Sequence, residues 1–260
     1  MNSKPLAVVT GASTGIGLEL AICCAQDGYD LIICANEAEI ESAAEEVSRH
    51  GATVEAVQAD LGSKEGVDKL WSAIRGRQVD ALLANAGRGL GGAFLDQDFA
   101  EAKNVVDVNV SGTISLVQKV GRQMRDRNSG KILITGSIAG FVPGAFHAVY
   151  NGTKAFLDSF AEALRNELKE TDVTVTCLMP GLTDTPFFDR AGMQDTPAYD
   201  APKEDPAKVA KVGYEAMKKG EGSVVSGFMN KLQTTFAGII PDSILAKMHR
   251  RLAEPEDSNA

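Results

Sequence analysis

The chain has 260 residues, of which 44% are hydrophobic and 23% charged. That balance excludes a disordered chain and permits a sizeable core without disulfides or metals. Against 35 Asp and Glu stand only 26 Lys and Arg, a formal charge of -9, which repels phosphate backbones and argues against a nucleic-acid partner.

The elements alternate from the start. Leu6 to Thr10 is a short β-type run that stops at Gly11. Gly15 to Asp27 has helical apolar spacing and ends at Gly28. Leu31 to Cys34 is the next apolar run, and Glu39 to His50 is an Ala- and Glu-rich helix stopped by Gly51. Thr53 to Gln58 alternates like a strand, Ser63 caps a helix to about Arg75, and Asp80 to Ala84 is a fourth strand. After the glycine-rich loop Gly87 to Gly92, Phe99 to Arg127 reads as one long helix or two joined. Lys131 to Thr135 is a fifth strand, Val149 to Glu170 a long helix, and Val173 to Met179 a sixth strand.

The stretch 183–206 breaks the rhythm with Pro186, Pro197, Pro202 and Pro206, and reads as a lid over a substrate. Ala207 to Lys219 resumes as a helix, and Gly222 to Ser226 offers a seventh strand. Lys231 to Leu252 mixes amphipathic helix and loop. The stretch 245–260 is read as a tail, its acidic residues Glu254 to Asp257 fraying. Strands alternating with helices of ten or more residues specify βαβ units and a parallel sheet. The strands are nearly all apolar, so the sheet is covered on both faces. With no repeat or linker, residues 1–260 form a single domain.

No apolar run approaches the roughly 18 residues that span a bilayer, and Met1 to Pro5 lacks the layout of a signal peptide. Cys23, Cys24, Cys34 and Cys177 lie in apolar segments with no C-x-x-C pair. They are expected to be buried free thiols in a reducing cytoplasm.

Thr10-Gly11-Ala12-Ser13-Thr14-Gly15-Ile16-Gly17 joins the first strand to the first helix. Gly11 allows the tight turn, Gly15 lets backbone approach a pyrophosphate, and Gly17 permits close helix packing, with the helix N-terminus facing the anion. At the end of the second strand an acid would hold a ribose hydroxyl and a cation a 2′-phosphate. This chain has Ala35-Asn36-Glu37 there. Glu37 either meets the ribose or leads the next helix exposed to solvent. With neither the acid nor a cation in place, the balance tips only slightly to NADP. Asp60, beside Leu61, either meets the adenine or caps the following turn.

Tyr150 and Lys154 stand i, i+4 on one helix face. An ammonium beside a phenol favours phenolate, so the pair can exchange a proton with a carbonyl or alcohol oxygen. Bringing a phenol of pKa ~10 down by ~3 units needs about 4 kcal/mol, hence a partly desolvated site and a second positive charge. Tyr199 with Lys203 and Tyr214 with Lys218 repeat the spacing. Pro202 interrupts the first of these, and the second is read as a solvated face. Only Tyr150 follows a buried strand ending in a hydroxyl-rich turn, Thr135-Gly136-Ser137. Ser137 either donates to a substrate oxygen or caps the turn. Phe141, Val142, Phe146, Phe187, Phe188 and Met193 suggest an apolar pocket, with His147 read first as a structural residue.

Taken in order, these motifs resemble the short-chain dehydrogenase/reductase family, in its single-domain form of about 250 residues, over residues 5 to about 186. The matching positions are Thr10 to Gly17, Asn85-Ala86-Gly87, Asn109, Ser137, Tyr150 with Lys154, and Pro180-Gly181 with Thr185. The resemblance implies a Rossmann-type doubly wound parallel sheet of about seven strands with helices on both faces. It implies NAD(P) as cofactor, held by Gly11, Ser13, Thr14, Gly15, Ile16, Gly17, Asn36, Asp60, Leu61, Asn85, Ala86, Gly87, Pro180, Gly181 and Thr185 together with Tyr150 and Lys154. Tyr150 is then the general acid/base, Lys154 lowers its pKa, Ser137 orients the substrate, and Asn109 anchors a water that relays protons to Lys154. The partner is a small carbonyl or alcohol, with no metal, no membrane and no nucleic acid, and the chain forms a homodimer or homotetramer. Two departures stand out. Asn36 replaces the Arg frequent in NADP-preferring relatives, and Gly152 sits in the Tyr–Lys interval, leaving the reactive face open. A nucleotide-binding redox sensor or scaffold, or a redox-neutral epimerase or dehydratase, would use the same fold.

Overall fold

The computed structural model describes residues 4–227 and 240–256. Seven parallel strands form one sheet in the order β3-β2-β1-β4-β5-β6-β7. They are β1 Leu6–Thr10, β2 Asp30–Ala35, β3 Val54–Gln58, β4 Ala81–Ala84, β5 Gly130–Thr135, β6 Val173–Met179 and β7 Ser223–Val225. The order reverses between β1 and β4, which opens a crevice beyond their carboxyl ends.

Strand periodicity divides the core. Val8, Ile32, Leu82 and Ile132 point to one face; Ala7, Val9, Leu31, Ile33 and Leu83 point to the other. The first set packs under α3 Lys64–Ile74, α5 Thr113–Asp126 and α6 Ala148–Glu167. The second packs under α1 Gly15–Gln26, α2 Ile40–Ser48 and α9 Pro206–Lys219. Both faces being covered explains why the inner strands are largely apolar rather than alternating. The edge strand β3 alternates instead, with Val57 buried and Glu55 and Gln58 exposed.

The expected run Phe99 to Arg127 resolves into α4 Phe99–Val106, a π-helical turn at Asp107–Gly112, and α5. A π turn carries an extra residue and re-aims side chains; this one holds Asn109. The lid stretch contains the short helices α7 Phe187–Arg190 and α8 Pro197–Asp200. Both ends of the stretch are tied together, since Thr183 bridges Glu204 and the Asp184 amide donates to the Glu204 carbonyl at 2.9 Å.

Three readings need correction. Residues 245–253, read as tail, belong to a C-terminal helix, Asp242–Ala253. Its Leu245 and Ala253 are buried, and Ala253 completes an apolar cluster with lid residues. The acidic end is tied down as well: the Glu256 amide donates to the Asp195 carbonyl at 3.0 Å. Residues 231–239 of the expected mixed segment, and the tail from Asp257 onward, lie outside the described residues. Second, Tyr214 is not on a solvated face. It is 3% exposed in the α1–α9 core, and its hydroxyl donates to Asp27 Oδ2 at 2.9 Å. Lys218 binds the same carboxylate, so this Tyr–Lys pair is a helix-to-helix brace. Third, Gly152 is exposed, and a Cβ there would meet nothing within 4 Å. It faces away from the reactive face of α6 and does not open it.

Candidate active site

A cavity of about 1570 Å3 lies along the carboxyl ends of the strands, larger than the roughly 300–1,000 Å3 of ordinary ligand pockets. Its floor is the turn between β1 and α1. Gly11 has φ +66°, and a Cβ there would lie 2.8 Å from Ala86 Cα. At Gly17 a Cβ would lie 2.0 Å from the Gly11 carbonyl oxygen, so only glycine lets helix and turn meet. Thr14 precedes α1 in extended conformation, its side chain does not cap the helix, and no acidic residue occupies the first turn. The helix N-terminus therefore offers amides and a positive dipole end to an anion. Thr185 crosses directly above, since a Cβ on Gly15 would lie 2.7 Å from its Cγ2. This cradle, open only because side chains are absent, fits a dinucleotide pyrophosphate.

At the adenosine end Asn36, Glu37, Asp60 and Leu61 line the cavity. Glu37 leads into α2, its carbonyl accepting from the Ile40 amide at 3.3 Å, but it is half-buried rather than exposed. Ser13 Oγ donates to its Oε2 at 3.0 Å, and Arg190 from α7 pairs with its Oε1 at 3.1 Å. The Asn36 amide, turned to satisfy its neighbours, also donates to Glu37. Asp60 caps its own turn, accepting from the Gly62 amide at 2.9 Å. Asn85 aims its side chain at the strands. Its backbone amide donates to Thr10 Oγ1 at 3.0 Å, its Nδ2 donates to the Thr10 carbonyl at 3.2 Å, and its Oδ1 accepts from Thr135 Oγ1 at 3.0 Å.

Lys154 continues that chain, its Nζ donating to the Thr135 carbonyl at 2.8 Å. Burial pulls the ammonium down to about 8, against the pull of Asp158 and Cys177, which raise it. Its Nζ stands 5.7 Å from the centre of the Tyr150 ring. Tyr150 is pushed up to about 12 by desolvation, offset by its hydrogen bond with Ser137 and reinforced by Asp158. Burial is the largest influence on the phenol. Ser137 caps the turn: its Oγ accepts from the Ala139 amide at 3.1 Å, opening a 3-10 turn at Ile138–Phe141, and donates to the Pro180 carbonyl at 3.4 Å. It also pulls the Tyr150 phenol down.

Of the catalytic and cofactor residues singled out in the sequence, Asn109 alone does not line the cavity; of the aromatic residues expected around an apolar pocket, Phe141 and Phe146 do not line it either, Phe141 being exposed. Asn109 is fully buried behind the cavity. Its Oδ1 accepts from the Arg88 amide at 2.7 Å, and its Nδ2 donates to the Arg88 carbonyl at 3.0 Å and to Thr153 Oγ1 at 2.9 Å. It joins the glycine-rich loop after β4 to the helix of Tyr150. A Cβ at Gly87 would lie 3.5 Å from both Asn109 Oδ1 and Lys154 Nζ, so the two groups share one small space. Pro180, Gly181 and Thr185 line the wall opposite.

The substrate end is apolar. Val142, Phe187, Phe188, Met193, Leu245 and Met248 line it, with His147 and His249. His147 is 5% exposed and held down to about 3, chiefly by burial. Sequence reasoning missed Arg190, Asp158, His249 and the C-terminal helix as site elements. Asp158 alone carried a local signal, four residues beyond Lys154.

The short chain dehydrogenase family model matches residues 5–195. An uncharacterised oxidoreductase of Myxococcus xanthus is 30% identical over 254 residues, covering 95% of this chain and 96% of its own length. Among solved structures, a short-chain dehydrogenase from Sphingobium yanoikuyae in complex with NADPH superposes with TM-score 0.81 at 24% identity, covering 90% of this chain and 94% of that one. One from Burkholderia phymatum in complex with NAD gives TM-score 0.80 at 23% identity, with 89% and 92% coverage. The chain belongs to the short-chain dehydrogenase/reductase family. Within it, the chain is an oxidoreductase with the family's seven-stranded Rossmann-type sheet.

Proposed function

We propose that this chain is an NAD(P)-dependent oxidoreductase that interconverts a bulky, largely apolar carbonyl compound and its secondary alcohol. The observation that carries this reading is the convergence of Tyr150, Ser137 and Lys154 on the same cavity as the glycine-rich turn. Gly11 to Gly17 cradle the pyrophosphate, Thr185 and Pro180 cover it, and Lys154 faces the nicotinamide end. The bound dinucleotide supplies or accepts the hydride. In reduction, Ser137 donates to the substrate carbonyl oxygen and Tyr150 hands it a proton. Lys154 then stabilises the phenolate. In oxidation Tyr150 takes the proton from the alcohol. A phenol held near 12 suits the donor role; the positive charge of an oxidised nicotinamide favours the phenolate needed for the reverse. Asn109 anchors proton relay to Lys154 from behind the wall. The width of the cavity and its apolar lid favour bulky substrates.

For the cofactor, Arg190 brings to the adenosine end the cation that β2 lacks, which supports the lean to NADP. The reducing cytoplasm fits the four unpaired cysteines, and among the described residues no helix is long and apolar enough to cross a membrane. Exposed Phe99 on α4 and Phe156 on α6 favour self-association into a dimer or tetramer; a monomer in analytical ultracentrifugation at micromolar concentration would refute that part.

Fluorescence titration with NADH and NADPH, then a carbonyl and alcohol panel with the tighter one, tests the reading. Tyr150→Phe is expected to keep cofactor affinity within about twofold and to lose at least ~10²-fold in kcat. Unchanged turnover in that variant would refute the assignment.

A further inference from the structure

Asp158 lies one helical turn beyond Lys154, on the same face of α6. Its Oδ1 accepts from the Ser137 amide at 3.3 Å and from the Cys177 thiol at 3.5 Å. The turn after β5 wraps closely around the carboxylate. A Cβ on Gly136 would lie 1.8 Å from Oδ1, and one on Gly140 would lie 2.2 Å from Oδ2. Two glycines therefore make room for this one acid. Oδ2 is buried with no hydrogen-bond partner among the described residues.

An unpaired buried carboxylate oxygen costs stability, so a purely structural role accounts poorly for it. Its neighbours suggest another. Lys154 spends a hydrogen bond on the Thr135 carbonyl, which is neutral. The full negative charge that acts on the buried Lys154 ammonium is that of Asp158, with the Cys177 thiol contributing less. The same acid holds the amide of Ser137, whose hydroxyl bonds Tyr150.

Resting on the function proposed above, we propose that Asp158 is a positioning residue of the reaction: its carboxylate keeps Lys154 protonated and fixes the Ser137 turn beside Tyr150. Asp158, Lys154, Tyr150 and Cys177 are the titratable groups that face one another here, across α6 and β6. Burial lifts Asp158 to about 6, so it is ionised at neutral pH and loses its charge just below.

Asp158→Asn keeps an acceptor for the Ser137 amide and removes the charge. In carbonyl reduction its basic pH limb is expected to move down by about one unit, with kcat at pH 8 falling about fivefold and cofactor affinity unchanged. Wild type and variant are expected to converge below pH 6, where Asp158 is itself neutral. Asp158→Leu, which also removes the acceptor, is expected to show the same shift and a larger loss. Parallel profiles at every pH, or an Asn variant equal to wild type, would overturn the role.

A melting series separates this from the function itself. The folded-state pKa of Asp158 is raised from 3.8 to about 6, so the folded chain binds a proton that the unfolded chain has lost between those values. Relative to the Asn variant, which shares every other titrating group, wild type therefore loses stability across that window as pH rises. At pH 8 the variant is expected to melt no lower than wild type. A lower melting temperature there would make Asp158 a structural brace and refute the proposal, whatever the substrate panel shows.

Discussion

The imidazole of His147 is stacked on the ring of Tyr150, with centroids 4.5 Å apart and planes 18° from parallel. Phe187 of the lid closes on the same phenol from 5.1 Å. The Tyr150 ring thus lies between two others, one at the start of α6 and one carried by the lid. His147 is therefore a packing partner of Tyr150 as well as part of the pocket wall.

Burial keeps that imidazole neutral. His147 is held down to about 3 in the folded chain, against an ordinary value of 6.5. Between those values the unfolded chain binds the extra proton, so folding stability falls as pH drops below 6.5. Two pH units into that window, the loss from this group is up to about 2–3 kcal/mol. Thermal melts from pH 7 to 4.5 are expected to show a shallower decline for His147→Phe than for wild type. Equal slopes would mean that His147 is not the group responsible.

Arg190 and Glu37 form an ion pair across the adenosine end of the cavity. Removing Glu37 leaves Arg190 uncompensated and attractive to a 2′-phosphate; removing Arg190 leaves a carboxylate that repels it. Glu37→Gln is expected to tighten NADPH, and Arg190→Gln to weaken it relative to NADH, by about three- to tenfold each for partly exposed groups. Equilibrium titration of both cofactors reads this without any substrate. Unchanged NADPH-to-NADH ratios in both variants would remove the pair from cofactor selection.

Gly152 occupies an exposed position inside α6 where a Cβ meets nothing. Glycine there costs helix stability without opening the site. Gly152→Ala is expected to raise unfolding stability by about 0.5–1 kcal/mol, read as a shift in denaturant midpoint, with turnover unaltered. A destabilised variant would mean that the backbone here serves some strained conformation.

Much of the fold was legible because local signals agreed. Apolar runs ending in glycine marked the strands, and the order of motifs marked the cradle and the Tyr150–Lys154 pair. What escaped had no local signature. Arg190 meets Glu37 only because the lid folds back across the cavity, and Tyr214 meets Asp27 only because α9 docks on α1. The C-terminal helix looked like a tail because its apolar stripe is short, and its burial depends on a lid cluster distant in sequence. The π turn at Asn109 escaped for a different reason: periodicity of 3.6 runs smoothly on either side of it.

One line of hydrogen bonds runs from Thr10 through Asn85 and Thr135 to Lys154, crossing the ends of β1, β4 and β5. It works as a jig. The distance between the glycine-rich turn and Lys154 is set by strand register, and register can change only in whole-residue steps. The lid and the C-terminal helix stand outside this line. Substrate choice can therefore drift through changes in Phe187, Met193 or Leu245 while the spacing of the reacting groups stays locked in the sheet.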